Sequence, residues 1–392
     1  MPRFSYFISH FKEAVTKDSP MWQALVPLRR DAASSKDVVS VSHGDYFRAA
    51  RSFLETNSYK AITRAVSRQL GRDVKPQDIA EICICLQKHG EFYHPSRIEA
   101  VVDQTHLFFV LNVAISESGR RIIETETHHL NRLNADLSFH YLPQVYESGR
   151  VFAEEGLSFG MLLGEWFNGY HEFHISIDPA DKKPKITVWD DAHGRFFLSA
   201  GQINTLYAEA SKILTCYYNL ESFEQILSWH HAAGDFVVKA ESGKLGLKLI
   251  TVRRYAPFFG GPKGATASRG DPELILQALL IFFLNLSIRM RLDRLDGVGE
   301  WMWSDKAVVE AVLIGFLEAL SLKPSISSLP DSPLACFMVY LSTCTAADIY
   351  ELSEALVNRF NPQMPELTVV KKNLSEHVET LSVAIQQLRS MV

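Results

Sequence analysis

The sequence predicts an α+β protein in which antiparallel strands precede most of the helices. Three observations carry this reading. From residue 78 onward, β-branched and aromatic runs follow one another: "IAEICICLQKHGEFYHP", "SRIEAVVDQ" and "HLFFVLNVAIS", separated by His-Gly, His-Pro and Asp-Gln steps. From Asp271 to the C-terminus the apolar residues recur at helical spacing. Between these regions, short strand-like runs alternate with helical ones.

The length of 392 residues suits two or three packed lobes, and 47% hydrophobic content supports a sizeable core. A net charge of −5 gives no general basic field, so nucleic acid is not an expected partner. The five cysteines, Cys83, Cys85, Cys216, Cys336 and Cys344, are odd in number and form no CxxC pair. They read as buried free thiols of a reducing compartment. The opening "MPRFSYFISHFKEAV" has no basic region followed by a long apolar stretch, so no secretory signal is expected. "LILQALLIFFLNLSIRM", Leu274 to Met290, is interrupted by Gln277, Asn285 and Arg289 and reads as a core helix, not a membrane span. The expectation is a cytoplasmic protein without a membrane partner; its oligomeric state is left open.

Taken in order, residues 45–72 give two helices that divide near Asn57–Ser58. The three strand-like runs then form an antiparallel meander. "SGRRIIETETHHLNRLNA" is a helix anchored by Ile122, Ile123, Leu130 and Leu133, and "YLPQVYESGRV" and "LSFGMLLGEWF" add two strands. "YHEFHISID" and "KITVWDDAHGRFFLS" are short strands around the loop "DPADKKPK". "AGQINTLYAEASKILTCYYNL" and "ESFEQILSW" read as helices. "FVVKAESGKLGLKLITVRRY" is a hairpin turning at Ser242–Gly243, and the Gly-rich "FFGGPKGATASRGDP" is a surface loop before the C-terminal helices.

The segment "SWHHAAGDFVVKA" sits between helices and a hairpin. This order, strand-rich lobe, joining segment, helices, "HHAAGDF", hairpin, helices, resembles the protein-kinase-like fold, in particular its aminoglycoside and small-molecule phosphotransferase branch, over roughly residues 78–320. The resemblance implies an antiparallel-sheet N-lobe and a mostly helical C-lobe. It divides the chain into an N-terminal helical extension (1–77), an N-lobe (78–170), a C-lobe (171–320) and a C-terminal helical extension (321–392). It also implies ATP and Mg²⁺ as cofactors, bound in a cleft between the lobes.

By the same resemblance, Asp235 matches the catalytic-loop base that accepts the proton of the substrate hydroxyl, with His231 before it. The alternative reading of Asp235 is a turn residue that opens a strand. Ala240 and Thr251 stand where the metal-binding Asn and Asp belong, and neither is a hard carboxylate ligand. Asn112 or Ser116 replaces the phosphate-holding Lys, and Glu124 or Glu126 is its helical partner. Gly90 is the one glycine in the turn that would cover the phosphates. Glu165 and Trp166 would flank a planar ligand or serve as a plain linker. Arg253 and Arg254, if they converge with Asp235, would make an anion pocket that needs no Mg²⁺.

Three further segments carry chemistry. His171, Glu172, His174, Asp190, Asp191 and His193 are ligand-type residues but lack the HExxH spacing of a zinc helix. "IRMRLDRLDGVGEWMW" reads as a salt-bridged helix end, pairing Arg289 with Asp293 and Arg291 with Asp296, or as an anion contact through Arg291 and Arg294. Lys263 and Arg269 lie in the Gly-rich loop without a GxxxxGK[ST] pattern. The leading expectation is a kinase-like protein that binds a nucleotide or phosphorylated small ligand, a phosphotransferase if Asp235 is its base. The alternatives are a catalytically inactive, pseudokinase-like interaction module and a metal-dependent enzyme built on the His-rich strands.

Overall fold

A computed structural model of the chain describes residues 1–9, 13–27, 40–153, 156–190, 194–229, 234–241, 243–258 and 270–391. It is α+β and divides into two compact units, Met1–Asn168 and Gly169–Val392.

The first unit runs β1 (Arg3–Ile8), α1 (Pro20–Gln23), α2 (His43–Leu70), β2 (Ile79–Leu86), β3 (His94–Val102), β4 (Thr105–Ala114), α3 (Glu117–Asp136), β5 (Val145–Phe152) and β6 (Ser158–Glu165). Its six-stranded sheet has the order β1-β2-β3-β4-β6-β5. The meander β2-β3-β4 is antiparallel, as its turn signals require. The segment expected to be a helical extension contributes β1, which pairs parallel to β2 with Phe4 opposite Ile82 and Tyr6 opposite Ile84. Its run "RFSYFI" has the strand alternation, but its partner lies beyond a whole helix, so no local hairpin signal marks it.

Helix α2 starts on a capping box, Ser42 with Asp45, and stops on Gly71 in the left-handed conformation (φ 66°). Its interior breaks where the sequence divides it: Asn57, Ser58 and Tyr59 all have positive φ. Phe47, Ala50, Leu54, Ile62 and Val66 of α2 join Ile84, Ile98, Phe109, Leu111 and Met161 of the sheet in one core. Alternate sheet residues face the other way. There α3 lies against β4, β5 and β6, and the backbone of Arg120 passes so close to Gly160 that a Cβ would stand 3.3 Å from its Cα.

The second unit runs β7 (Glu172–Ile177), β8 (Pro184–Asp190), β9 (Gly194–Phe197), α4 (Ala200–Cys216), β10 (Glu224–Leu227), β11 (Phe236–Glu241), β12 (Lys244–Leu249), β13 (Arg254–Pro257), α5 (Pro272–Met290), β14 (Leu292–Arg294), β15 (Trp301–Trp303), α6 (Ala307–Ser321), α7 (Pro333–Thr343), α8 (Ala346–Val357) and α9 (Leu367–Met391). Helix α5 is the one helix among the described residues long and apolar enough to cross a membrane. Its Leu279, Leu280, Phe283, Leu284 and Ile288 are buried within this unit. Cys85, Cys216 and Cys336 are buried, and all five thiols are free.

Two helical expectations give way to strands. "ESFEQILSW" contains β10, paired antiparallel with β13. Phe223 and Ser228 take positive φ on either side of it, so no helix passes through. The end of α5 does not continue through residue 303: β14 and β15 form a small hairpin, with Asp293 opposite Met302.

Candidate functional site

The hairpin β11–β12 places Asp235 at its mouth. Phe236 pairs with Leu249, and the Ile250 amide donates to the Asp235 carbonyl at 2.8 Å. The chain returning from β12 therefore passes directly over Asp235, and Arg253 is three residues further on. Its guanidinium meets the carboxylate as a fork: Nη2 donates to Oδ1 at 2.7 Å and Nη1 to Oδ2 at 3.1 Å. The Asp235 side chain is 2% exposed and that of Arg253 24%. Both oxygens of the aspartate are thus engaged by one planar cation.

Gly234, just before it, has φ +72°, and a Cβ there would lie 2.9 Å from the carboxyl carbon of Glu172. Glycine is needed for the backbone turn and for the approach of Glu172. Reciprocal backbone hydrogen bonds between His171 and Val238, each 2.9 Å, hold the entry to β7 beside β11. Glu172 is followed by His174, whose Nε2 lies 3.8 Å from Glu172 Oε2 and whose ring lies 4.5 Å from that of Trp189, tilted by 57°. Two carboxylates and one guanidinium therefore share this corner. The proximity of Glu172 to Gly234 has no local signal, since 61 intervening residues separate them (234 − 172 − 1).

A second polar centre ties β7 to β14. Asp293 is fully buried; its carboxylate accepts from the Arg294 amide at 2.6 Å and the Ile175 amide at 3.3 Å. Burial pushes its pKa up to about 7, against the pull of these two backbone donors. Ser176 donates to Asp296 at 2.6 Å nearby. The ion pairs expected within "IRMRLDRLDG" are absent among the described residues. Arg291 instead donates to the Ser304 carbonyl and to Glu376, and Arg294 to the carbonyls of Val298 and Gly299.

Of the residues singled out in the sequence, the structure brings Asp235 and Arg253 together. Arg254 is exposed and opposite Leu227 in the β10–β13 pair. His231, with His230, Asp191, His193, Ser242, Lys263 and Arg269, lies outside the described residues. The remaining candidates belong to the first unit. Asn112 is buried on β4, on the face opposite Phe109 and Leu111. Glu124 is on the solvent side of α3, held by Arg150 at 2.6 Å, whereas Glu126 is the buried acid of that helix. Glu165 accepts from the Gln144 amide at 3.1 Å, and Trp166 is half-buried after it.

The residues present do not fit Mg²⁺. Asp235 is clamped by Arg253, Ala240 sits inside β11 opposite Leu245, and Thr251 has no carboxylate. Among the described residues no group of three or more His, Cys, Asp or Glu side chains is arranged to hold a metal. On the His-rich strands His171 pairs with Asp190 (3.6 Å) and His174 with Glu172, as separate pairs.

The chain matches no known family profile and no curated protein. Among solved structures it is similar to "WaaP in complex with acyl carrier protein", at 9% identity and a TM-score of 0.32, over 69% of this chain and 88% of that one.

Proposed function

We propose that this chain is a kinase-like protein that acts by binding and interaction, without Mg²⁺-dependent phosphoryl transfer. The observation that carries this reading is the buried fork between Arg253 and Asp235. A general base needs an oxygen directed at the hydroxyl it deprotonates, within about 2.6–3.2 Å. Both oxygens of Asp235 point at Arg253 instead. The guanidinium occupies the carboxylate that the resemblance makes the base, and it offers only donors and no coordinating oxygen. The carboxylate of Glu172 beside Gly234 adds a second acid to this corner, which counts against an anion pocket there.

An interaction role is supported by the edge strand β9, whose four residues are all exposed. Phe196 and Phe197 are each 38% exposed there, and an open edge of this kind accepts a further strand. A second reading, phosphoryl transfer by Asp235, is favoured by its place directly after a left-handed glycine at the mouth of a hairpin.

A thermal-shift series with ATP and GTP, each with and without Mg²⁺, tests the proposal by mass action. The expected result is a melting temperature that Mg²⁺ does not raise further in the presence of either nucleotide. A Mg²⁺-dependent rise that Asp235→Asn abolishes would favour the second reading.

A further inference from the structure

In the unit Met1–Asn168 we propose a site for a divalent transition metal, bound through the Nδ1 atoms of His89 and His94. Three imidazoles gather here from three segments: His43 opens α2, His89 lies in the β2–β3 connection, and His94 opens β3. The rings of His89 and His94 are 5.3 Å apart, and those of His43 and His89 6.1 Å. The Nδ1 atoms of His89 and His94 face each other at 3.3 Å. One ring's N–H can donate to the other's lone pair here, and an ion would take the place of that proton. The separation matches two nitrogens on a tetrahedral zinc, which stand about 3.3 Å apart when each is about 2.0–2.1 Å from the ion.

The surroundings suit ligation. His94 is 4% exposed. His43 Nδ1 contacts the Ala24 carbonyl at 2.9 Å. That contact has His43 Nδ1 donating to the carbonyl, so His43 lines the pocket without joining the ligand pair. His89 is exposed, so an ion has access from solvent. With no third His, Cys, Asp or Glu donor in place among the described residues, water completes the shell. A pair of imidazoles selects Zn²⁺, Ni²⁺ or Cu²⁺ over Mg²⁺ and Ca²⁺.

The test is calorimetric titration of the full chain with ZnCl₂ or NiCl₂ in excess Mg²⁺. The expected result is one equivalent bound, with affinity reduced at least about tenfold in His89→Ala and unchanged in His128→Ala, an exposed histidine of α3. With Co²⁺, the visible bands of the bound ion should disappear in the same variant. Because His89 is exposed in a connection, that variant keeps the fold, and a matching melting curve verifies it. Equal affinity in His89→Ala and wild type, or no binding by wild type, would overturn the site.

Discussion

Asp235 is a carboxylate taken almost wholly out of water, and Arg253 makes that burial tolerable. Removing one partner of a buried pair leaves an uncompensated charge, at a cost of about 3–5 kcal/mol. Because Arg253 is partly exposed, Arg253→Ala is expected at the lower end, about 3 kcal/mol in urea denaturation. Arg253→Lys should recover part of this, since one ammonium cannot reproduce the fork. A loss below about 0.5 kcal/mol, typical of a surface pair, would contradict the assignment. Two other buried groups give stability a pH dependence of opposite sign. Asp293 has its pKa raised from 3.8 to about 7, so the native state binds the extra proton, and its contribution falls as pH rises through that window. Asp293→Asn should flatten this decline. His377 is fully buried beside Arg291, and neither ring nitrogen has a hydrogen-bond partner among the described residues. Its pKa is held down from 6.5 to about 3, mainly by burial. Its contribution is complete above pH 6.5 and is lost as pH falls toward 3. His377→Leu should therefore resist acid better than wild type in denaturant melts repeated across pH.

Among the elements, α4 and α6 cross so closely at Gly315 that a Cβ there would lie 1.9 Å from the Ala208 carbonyl oxygen. Backbone cannot step aside as a side chain can, so Gly315→Val should cost at least the about 1–3 kcal/mol of an overpacked core. A chemical-denaturation midpoint equal to wild type would contradict the crossing. The strands and helices that were legible in the sequence share one property: their signals are local. The meander β2-β3-β4 has turn residues at each end, and α3 has Ser116 accepting from the Gly119 amide. The break in α2 falls at Asn57–Ser58, as the apolar spacing indicates. What escaped depends on distant partners. β1 is a strand because β2 lies beside it, and β10 is a strand because β13 returns to it from beyond the β11–β12 hairpin. Four residues have too little periodicity to choose between helix and strand.

For the molecule as a whole, the order of elements supplies the kinase-like reading, and single residues decide what the fold can do. The absence of carboxylates at Ala240 and Thr251 was visible in the sequence, as was the condition that Arg253 converge with Asp235. The fork itself was not visible, because it depends on how the chain leaves β12. Nor was the approach of Glu172 to Gly234. The most direct measurement follows the terminal phosphate of γ-labelled ATP with Mg²⁺ in wild type and Asp235→Asn. No transfer or release of label above background is expected in either protein. Mg²⁺-dependent turnover by wild type that Asp235→Asn abolishes would contradict it.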